Sequence, residues 1–356
     1  MMKIAVDWSP GEARIAALLD NMLIDFSLWR PGKPDGFGDI HCVRIMRPAP
    51  IMKGAFGRIA SGEDVFVTGV FPEGALVTAR VTRAAQGGKG ARLQPLQSDA
   101  TCDAPACLQQ GPSPLEEMAA RYPEARILVD TPSLAARIPP NLRPRLERVA
   151  CAFDEDIKDQ CSALTHGDIV LPDNISARVT PSAALCAIDL DDADTAAASP
   201  RTQFDRNVAI FPALAREIRL RNINGVILID PAGVPTRKRA ALIPFLQNAF
   251  RDDPLKPHDF GATPSGLLEL TRPRRRPPLH ELLSSPHGIG LAALRQAVRT
   301  LSGMPANRKL CLKASFAIID ALQKDVAALE DVSQILGYEL PLMAIPDYPP
   351  AHWSFS

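Results

Sequence analysis

Ala183-Ala184-Leu185-Cys186-Ala187-Ile188-Asp189-Leu190-Asp191-Asp192 and Asn224-Gly225-Val226-Ile227-Leu228-Ile229-Asp230 are the two stretches on which the fold turns. Each is a short apolar run that ends in acid. The second is too short for a helix, and Asn-Gly before it tolerates the left-handed conformation that closes one. Both read as buried strands whose last residue reaches solvent. Between them, residues 205–221 place Val208, Phe211, Ala215 and Ile218 at helical spacing, with Pro212 expected to kink or divide the helix. A helix over 237–250 and a strand over 266–270 follow. Strand and helix alternate, so this region is an α/β layer.

Working outward, short apolar runs over 3–7, 14–20 and 22–28 read as strands, and Gly32-Lys33-Pro34-Asp35-Gly36 as a loop and boundary. Runs over 41–47, 54–59, 65–70 and 75–83, separated by glycine turns, suggest a small barrel, of which the OB type is the common RNA-binding form. Residues 98–112 are small and polar and read as a linker. Ser113-Pro114-Leu115-Glu116 then opens a helix, with serine as N-cap and glutamate at the capping-box position. A strand over 125–130 and helices over 132–137 and 152–162 come next. After the basic run Arg272-Pro273-Arg274-Arg275-Arg276, a smaller unit is expected: a helix over 291–301, a strand over 309–313, further helices through Asp320 and Glu330, and a strand over 339–344.

The 356 residues are too many for one core of common size. Net charge is zero, which neither indicates nor excludes nucleic acid, because a local basic stripe suffices. No stretch reaches the roughly 18 apolar residues that span a bilayer, and the N-terminus lacks a signal-peptide pattern. The seven cysteines are odd in number and scattered. A disulfide framework is therefore not expected, and a reducing cytoplasm is the default. Cys102 and Cys107, the one close pair, lie near the edge of zinc-site spacing, but no second Cys/His pair follows at motif distance.

Two strand-end carboxylates on one sheet edge could hold magnesium, which takes oxygen ligands and often only one or two carboxylates. Such an ion readies water and neutralises a phosphate. An acid at a strand end is also an ordinary turn or N-cap residue. Arg216, Arg219 and Arg221 at the helix end can stabilise its dipole or meet a polyanion. The run from Arg272 to Arg276 can likewise be a solvated linker or a phosphate patch.

The order of these features resembles the ribonuclease E/G family. The matching pattern is a strand ending in Ile-Asp, a helix led by asparagine and closing in Arg-Leu-Arg, a second Ile-Asp strand, then Gly266-Leu267-Leu268-Glu269-Leu270-Thr271-Arg272-Pro273-Arg274. The resemblance implies that Asp189 and Asp230 bind Mg2+, that Asp191 and Asn207 complete the catalytic set, and that Arg219, Arg221, Arg272 and Arg274 contact RNA. ALLDNMLIDFSLWRPG and GAFGRIASGEDVFV look like the family's N-terminal part and the start of its OB-type domain. There Phe56 and Phe66 match two base-stacking aromatics, though pattern alone allows them to be barrel core. Arg83 and Lys89 match basic positions of the same groove.

The fold implied is a multidomain α/β protein with a β-barrel. A ribonuclease-H-like segment (1–36 and 112–180) carries an inserted OB-type RNA-binding barrel (37–98) and a linker (99–111). A DNase-I-like α/β catalytic domain (181–284) and a small α/β C-terminal domain (285–356) follow. The activity implied is a magnesium-dependent endoribonuclease acting on single-stranded RNA in the cytoplasm. The alternatives are a catalytically weakened RNA-binding protein on the same scaffold and a general metal-dependent phosphatase or DNA nuclease.

Three departures stand out. The family's Arg-Thr-x-Gly motif, a sensor of the RNA 5′-monophosphate, has no counterpart between Gln97 and Ile127, which predicts weak 5′-end sensing. The Cys-x-x-Cys that links the family's subunits through zinc is replaced by Leu283-Ser284-Ser285-Pro286-His287-Gly288. No zinc-linked dimer is expected, the oligomeric state stays open, and His287 reads as a surface or turn histidine. Asp191 stands where the family has asparagine, and Pro264 where it has a phosphate-contacting arginine. An acid usual after the second Ile-Asp is lost within Pro231-Ala232-Gly233.

Overall fold

The computed structural model describes residues 1–97, 102–192, 200–301 and 309–356, and the strands, bonds and clusters given below are those among them. The chain divides into two compact units. One combines Met1–Pro34, Pro112–Cys161 and Leu279–Ser356; the other combines Asp35–Gly111 and Ser162–Pro278.

In the first unit a five-stranded sheet runs in the order Leu146–Arg148, Arg126–Val129, Met2–Ser9, Glu12–Leu19, Met22–Trp29. Helix Pro114–Arg121 begins at Ser113 with both capping-box bonds formed, as its sequence predicts. It buries Leu115 and Met118 against Ile4, Val6, Ile15 and Ile127. A second cluster joins helices Pro286–Leu301, Phe316–Gln323 and Val326–Leu336 around a three-stranded sheet. Buried Glu12 ties the clusters together, bonding Arg30 at 2.8 Å and Arg295 at 3.2 Å. His287 is not a surface ring: it is buried with Nε2 2.8 Å from Asp325.

The second unit holds a barrel and a six-stranded sheet. Strands Ile40–Ala49, Gly54–Arg58, Asp64–Thr68, Arg92–Pro95 and Leu76–Arg83 pair in that order, and the last returns to the first to close the barrel. Its core is Val43, Ile45, Ala55, Val65, Val67, Val81 and Leu93. A sixth strand, Ala106–Gln109, adds to Ile40–Ala49 within the stretch expected to be linker. The start of that stretch, 98–101, lies outside the described residues. The added strand sets Ala106 opposite Cys42, and a disulfide joins Cys42 to Cys102, four residues before that strand. The expectation of unpaired cysteines fails here because 60 residues of separation are closed by strand pairing, which spacing along the chain does not reveal.

The six-stranded sheet runs Asp168–Val170, Ile175–Pro181, Leu185–Asp192, Gly225–Asp230, Leu268–Arg272, His258–Ala262. Residues 168–180, expected with the ribonuclease-H-like segment, are strands of this sheet instead. The 21-residue helix Pro200–Leu220 covers one face. Pro212 lies inside it without dividing it; its exposed position places the missing N–H bond on the solvent side. The expected single helix over 237–250 is three short pieces, Thr236–Arg239, Ala240–Leu242 and Ile243–Ala249. Among the described residues no helix is long and apolar enough to cross a membrane.

Candidate functional site

Strand alternation decides which side chains the sheet presents. In Leu185–Asp192, Cys186, Ile188 and Leu190 are buried against the helix, so Asp189 and Asp191 point to the open face. In Gly225–Asp230, Ile227 and Ile229 are buried, so Asp230 shares that face. The two strands are parallel, and Asp189 is the direct register partner of Asp230. Neighbouring strands lie about 4.8 Å apart, so the two carboxylates stand side by side. Asp191 lies two residues further on, roughly 7 Å along the strand, opposite Ser176.

A row of charge crosses the sheet through this pair. Asp168 pairs with Arg178 at 2.9 Å, Arg178 is the register partner of Asp189, and Asp230 Oδ1 accepts from Arg239 at 2.6 Å. The proximity of Asp168 first, then of Asp189 and Asp191, raises the Arg178 pKa. Arg239 also donates to the Gly266 and Val234 carbonyls. It sits in Thr236-Arg237-Lys238-Arg239, a basic turn whose other two cations are exposed.

Asn207 is not on the open face. It is 1% exposed, and its amide donates to the Ala232 carbonyl at 2.9 Å and accepts from the Ala232 N–H at 3.2 Å. It is thereby bonded to the loop that leaves Asp230, away from the open face on which Asp189 and Asp230 stand. Gly233 completes that loop at φ +63°, where an added Cβ would lie 2.6–2.8 Å from the Gln203 side-chain amide.

The arginines expected to hold RNA beside the acids are elsewhere. The long helix ends where the strand to Asp230 begins, so Arg219 and Arg221 lie at the opposite strand end, roughly 16 Å from Asp230 for five residues of strand. Arg221 is buried and bonds Glu217 and the Ala163 carbonyl. Arg272 is 2% exposed and bonds Asp253, Asn222 and the Ile223 carbonyl. Arg274 lies against Gly225 and the Ala184 carbonyl, again at the far end. Arg275 accepts from Ala84 through its carbonyl, while Arg276 pairs with Asp35 and covers Phe37 at 5.1 Å. The basic run is thus a seam between barrel and sheet.

The barrel's outer face carries a second row. Cross-strand partners connect Arg47, Phe56, Phe66, Arg92 and Arg83 in sequence. The two rings meet edge to face at 5.5 Å, with Arg47 5.0 Å from one and Arg92 5.8 Å from the other. Both rings are half-buried, and the core residues Ala55, Val65 and Val67 alternate with them. They lie on the outer face rather than in the barrel core. Arg83 donates to the Gly90 carbonyl at 2.9 Å; burial first, then Arg92 and Arg274, lower its pKa. Lys89 is exposed at the end of a turn closed by two backbone bonds exchanged between Gln86 and Lys89.

Four arginines that neighbour the acids or the two rings were not singled out from sequence: Arg47, Arg92, Arg178 and Arg239. Arg239 was within reach, since Arg237-Lys238-Arg239 follows soon after Asp230. The other three become neighbours only through strand pairing.

The model of the Ribonuclease E/G family matches residues 125–275. Ribonuclease G of Salmonella typhimurium (strain SL1344) is 30% identical over 162 residues, covering 41% of this chain and 33% of the relative. Ribonuclease E of Nostoc sp. (strain PCC 7120) is 30% identical over 138 residues, covering 38% and 19%. Ribonuclease E of Escherichia coli (strain K12) is 31% identical over 128 residues, covering 35% and 12%. The matched part spans a third or less of the length of these relatives.

Proposed function

We propose that this chain, which carries the ribonuclease E/G family pattern over residues 125–275, is an endoribonuclease that cuts single-stranded RNA at Asp189 and Asp230. The register pairing of the two carboxylates on the open face carries this reading. The donor set fits magnesium: oxygen only, two carboxylates, and an open side on which the ion can keep its waters. When bound, the ion supplies an activated water and charge neutralisation at the phosphate. Asp189 and Asp230 hold it. Arg239 orients Asp230 through Oδ1 and brings a guanidinium to the Gly266 carbonyl, two residues from Pro264. A cation near that turn is thus supplied from another element. Arg237 and Lys238 are placed to meet phosphates at the same strand ends.

On this proposal the five-stranded closed barrel is an OB-type RNA-binding domain, the acidic sheet with its helix is the DNase-I-like catalytic layer, and the sheet of the first unit is the ribonuclease-H-like segment. Phe56 and Phe66 stack bases while Arg47 and Arg92 meet the backbone. Unstacked single strands can use such rings; a duplex cannot.

Incubating unstructured RNA with magnesium tests the proposal. Cleavage by the parent chain that is lost in Asp230→Asn, with RNA binding kept, supports it. RNA binding with equal inertness in both favours the catalytically weakened binder. That second reading draws support from Pro264 and from the Arg239 bond that engages Asp230 Oδ1. Equal cutting of DNA and RNA counts against both.

A further inference from the structure

On the barrel, away from the acidic row, three side chains of different chemistry converge. His41 and Cys107 are register partners on adjacent antiparallel strands, and Asp39 lies just before the first of them. A ring nitrogen of His41, a carboxylate oxygen of Asp39 and Sγ of Cys107 all lie within 4.8 Å of one another. His41 is 8% exposed. Its Nε2 stands 3.6 Å from Asp39 Oδ2, too far for a hydrogen bond, and its Nδ1 is shielded from solvent with no hydrogen-bond partner among the described residues. A buried nitrogen left unpaired destabilises the fold unless something satisfies it. Asp39 Oδ1 accepts from the Gly111 N–H at 2.6 Å, which fixes the carboxylate and leaves Oδ2 to the cluster.

We propose that Asp39, His41 and Cys107 form a zinc site with three protein ligands and a fourth position left to water. Thiolate, imidazole and carboxylate are zinc donors, and a soft sulfur selects against magnesium and calcium. The pair Asp189 and Asp230 offers oxygen alone and suits the harder ion. Binding breaks the Cys107 S–H bond, forms a sulfur–zinc bond and releases one proton to solvent. Cys102 is committed to the disulfide with Cys42, so Cys107 is the free thiol of this segment. The ion would clasp Ala106–Gln109 onto Ile40–Ala49 beside that disulfide.

The test is titration of the full chain, disulfide intact and RNA absent, with Zn2+ and with Co2+ as its coloured substitute. One zinc per chain is expected, and cobalt should give a thiolate-to-metal absorption band. Cys107→Ser should abolish the band, and Asp39→Asn should weaken metal binding by roughly a hundredfold. Cys151→Ser, at another exposed thiol, and the Asp189→Asn/Asp230→Asn double variant should keep the band. In the parent chain, zinc should also slow alkylation of Cys107, a readout that needs no variant to fold. A band that survives in Cys107→Ser, a band lost with Asp189 and Asp230, or alkylation unchanged by zinc would overturn the site.

Discussion

Arg272 and Arg239 show how residue type and residue role part company. Both are arginines near the acidic strands, but Arg272 is 2% exposed and pairs with the equally buried Asp253, while Arg239 reaches Asp230 on the open face. Removing one partner of a buried pair leaves an uncompensated charge, at a cost of about 3–5 kcal/mol. Arg272→Met is therefore expected to lower unfolding free energy by about that much in guanidinium titrations. A stable variant with weakened RNA affinity would instead return Arg272 to the phosphate-contact role. Arg239→Gln should leave stability nearly unchanged and slow magnesium-dependent cleavage by about a hundredfold, the scale of losing one preorganised donor. Unchanged turnover would remove Arg239 from the site. Sequence could put Asp189 and Asp230 at the ends of strands because a strand end is a local property. That Asn207 bonds Gln203 and Ala232 away from the open face depends on tertiary packing instead.

At the scale of elements, the barrel strands separate a core face from a platform face. Phe56 and Phe66 are in an apolar alternation that fits either face; the alternating burial of Ala55, Val65 and Val67 puts the rings outside. Base stacking on such a ring is worth roughly 1–3 kcal/mol. Phe56→Leu and Phe66→Leu should each weaken binding of a single-stranded oligonucleotide by about 5- to 150-fold, read by fluorescence anisotropy. The thermal midpoint should hardly move, because a leucine keeps the strand apolar and the core is untouched. Loss of folding with no separate loss of affinity would make the rings structural. Helix ends obey the same logic in reverse. The short link from Leu220 to Gly225 forces Arg219 and Arg221 to the strand start, so a cluster adjacent in sequence to the Asp230 strand is distant from Asp230 itself.

For the whole molecule, the first unit carries a charge that works against folding. Asp7, on the strand Met2–Ser9, has its pKa raised above 3.8, chiefly by burial and further by Asp130, against the pull of Arg295 and Arg14. The folded state therefore holds its proton to higher pH than the unfolded chain. This contribution to stability is fully present below the unfolded pKa and is lost as pH rises through the folded one. Asp7→Asn should accordingly stabilise the chain at pH 7 and give no advantage near about pH 3. Denaturant titrations at the two pH values check this, and a destabilised neutral-pH variant would show that its arginine contacts outweigh burial.

The amino-acid sequence by itself determined the two acidic strands, the capped helix at Ser113 and the many-stranded barrel. Each rests on alternation, helical spacing or a cap within a few residues. Only the tertiary structure decided which arginines meet the acids, which face the phenylalanines take, and that Cys42 meets Cys102 while His41 meets Cys107. The physical reason is register. Strand pairing brings residues tens of positions apart to within about 5 Å, and one step of register would turn each of these side chains to the other face.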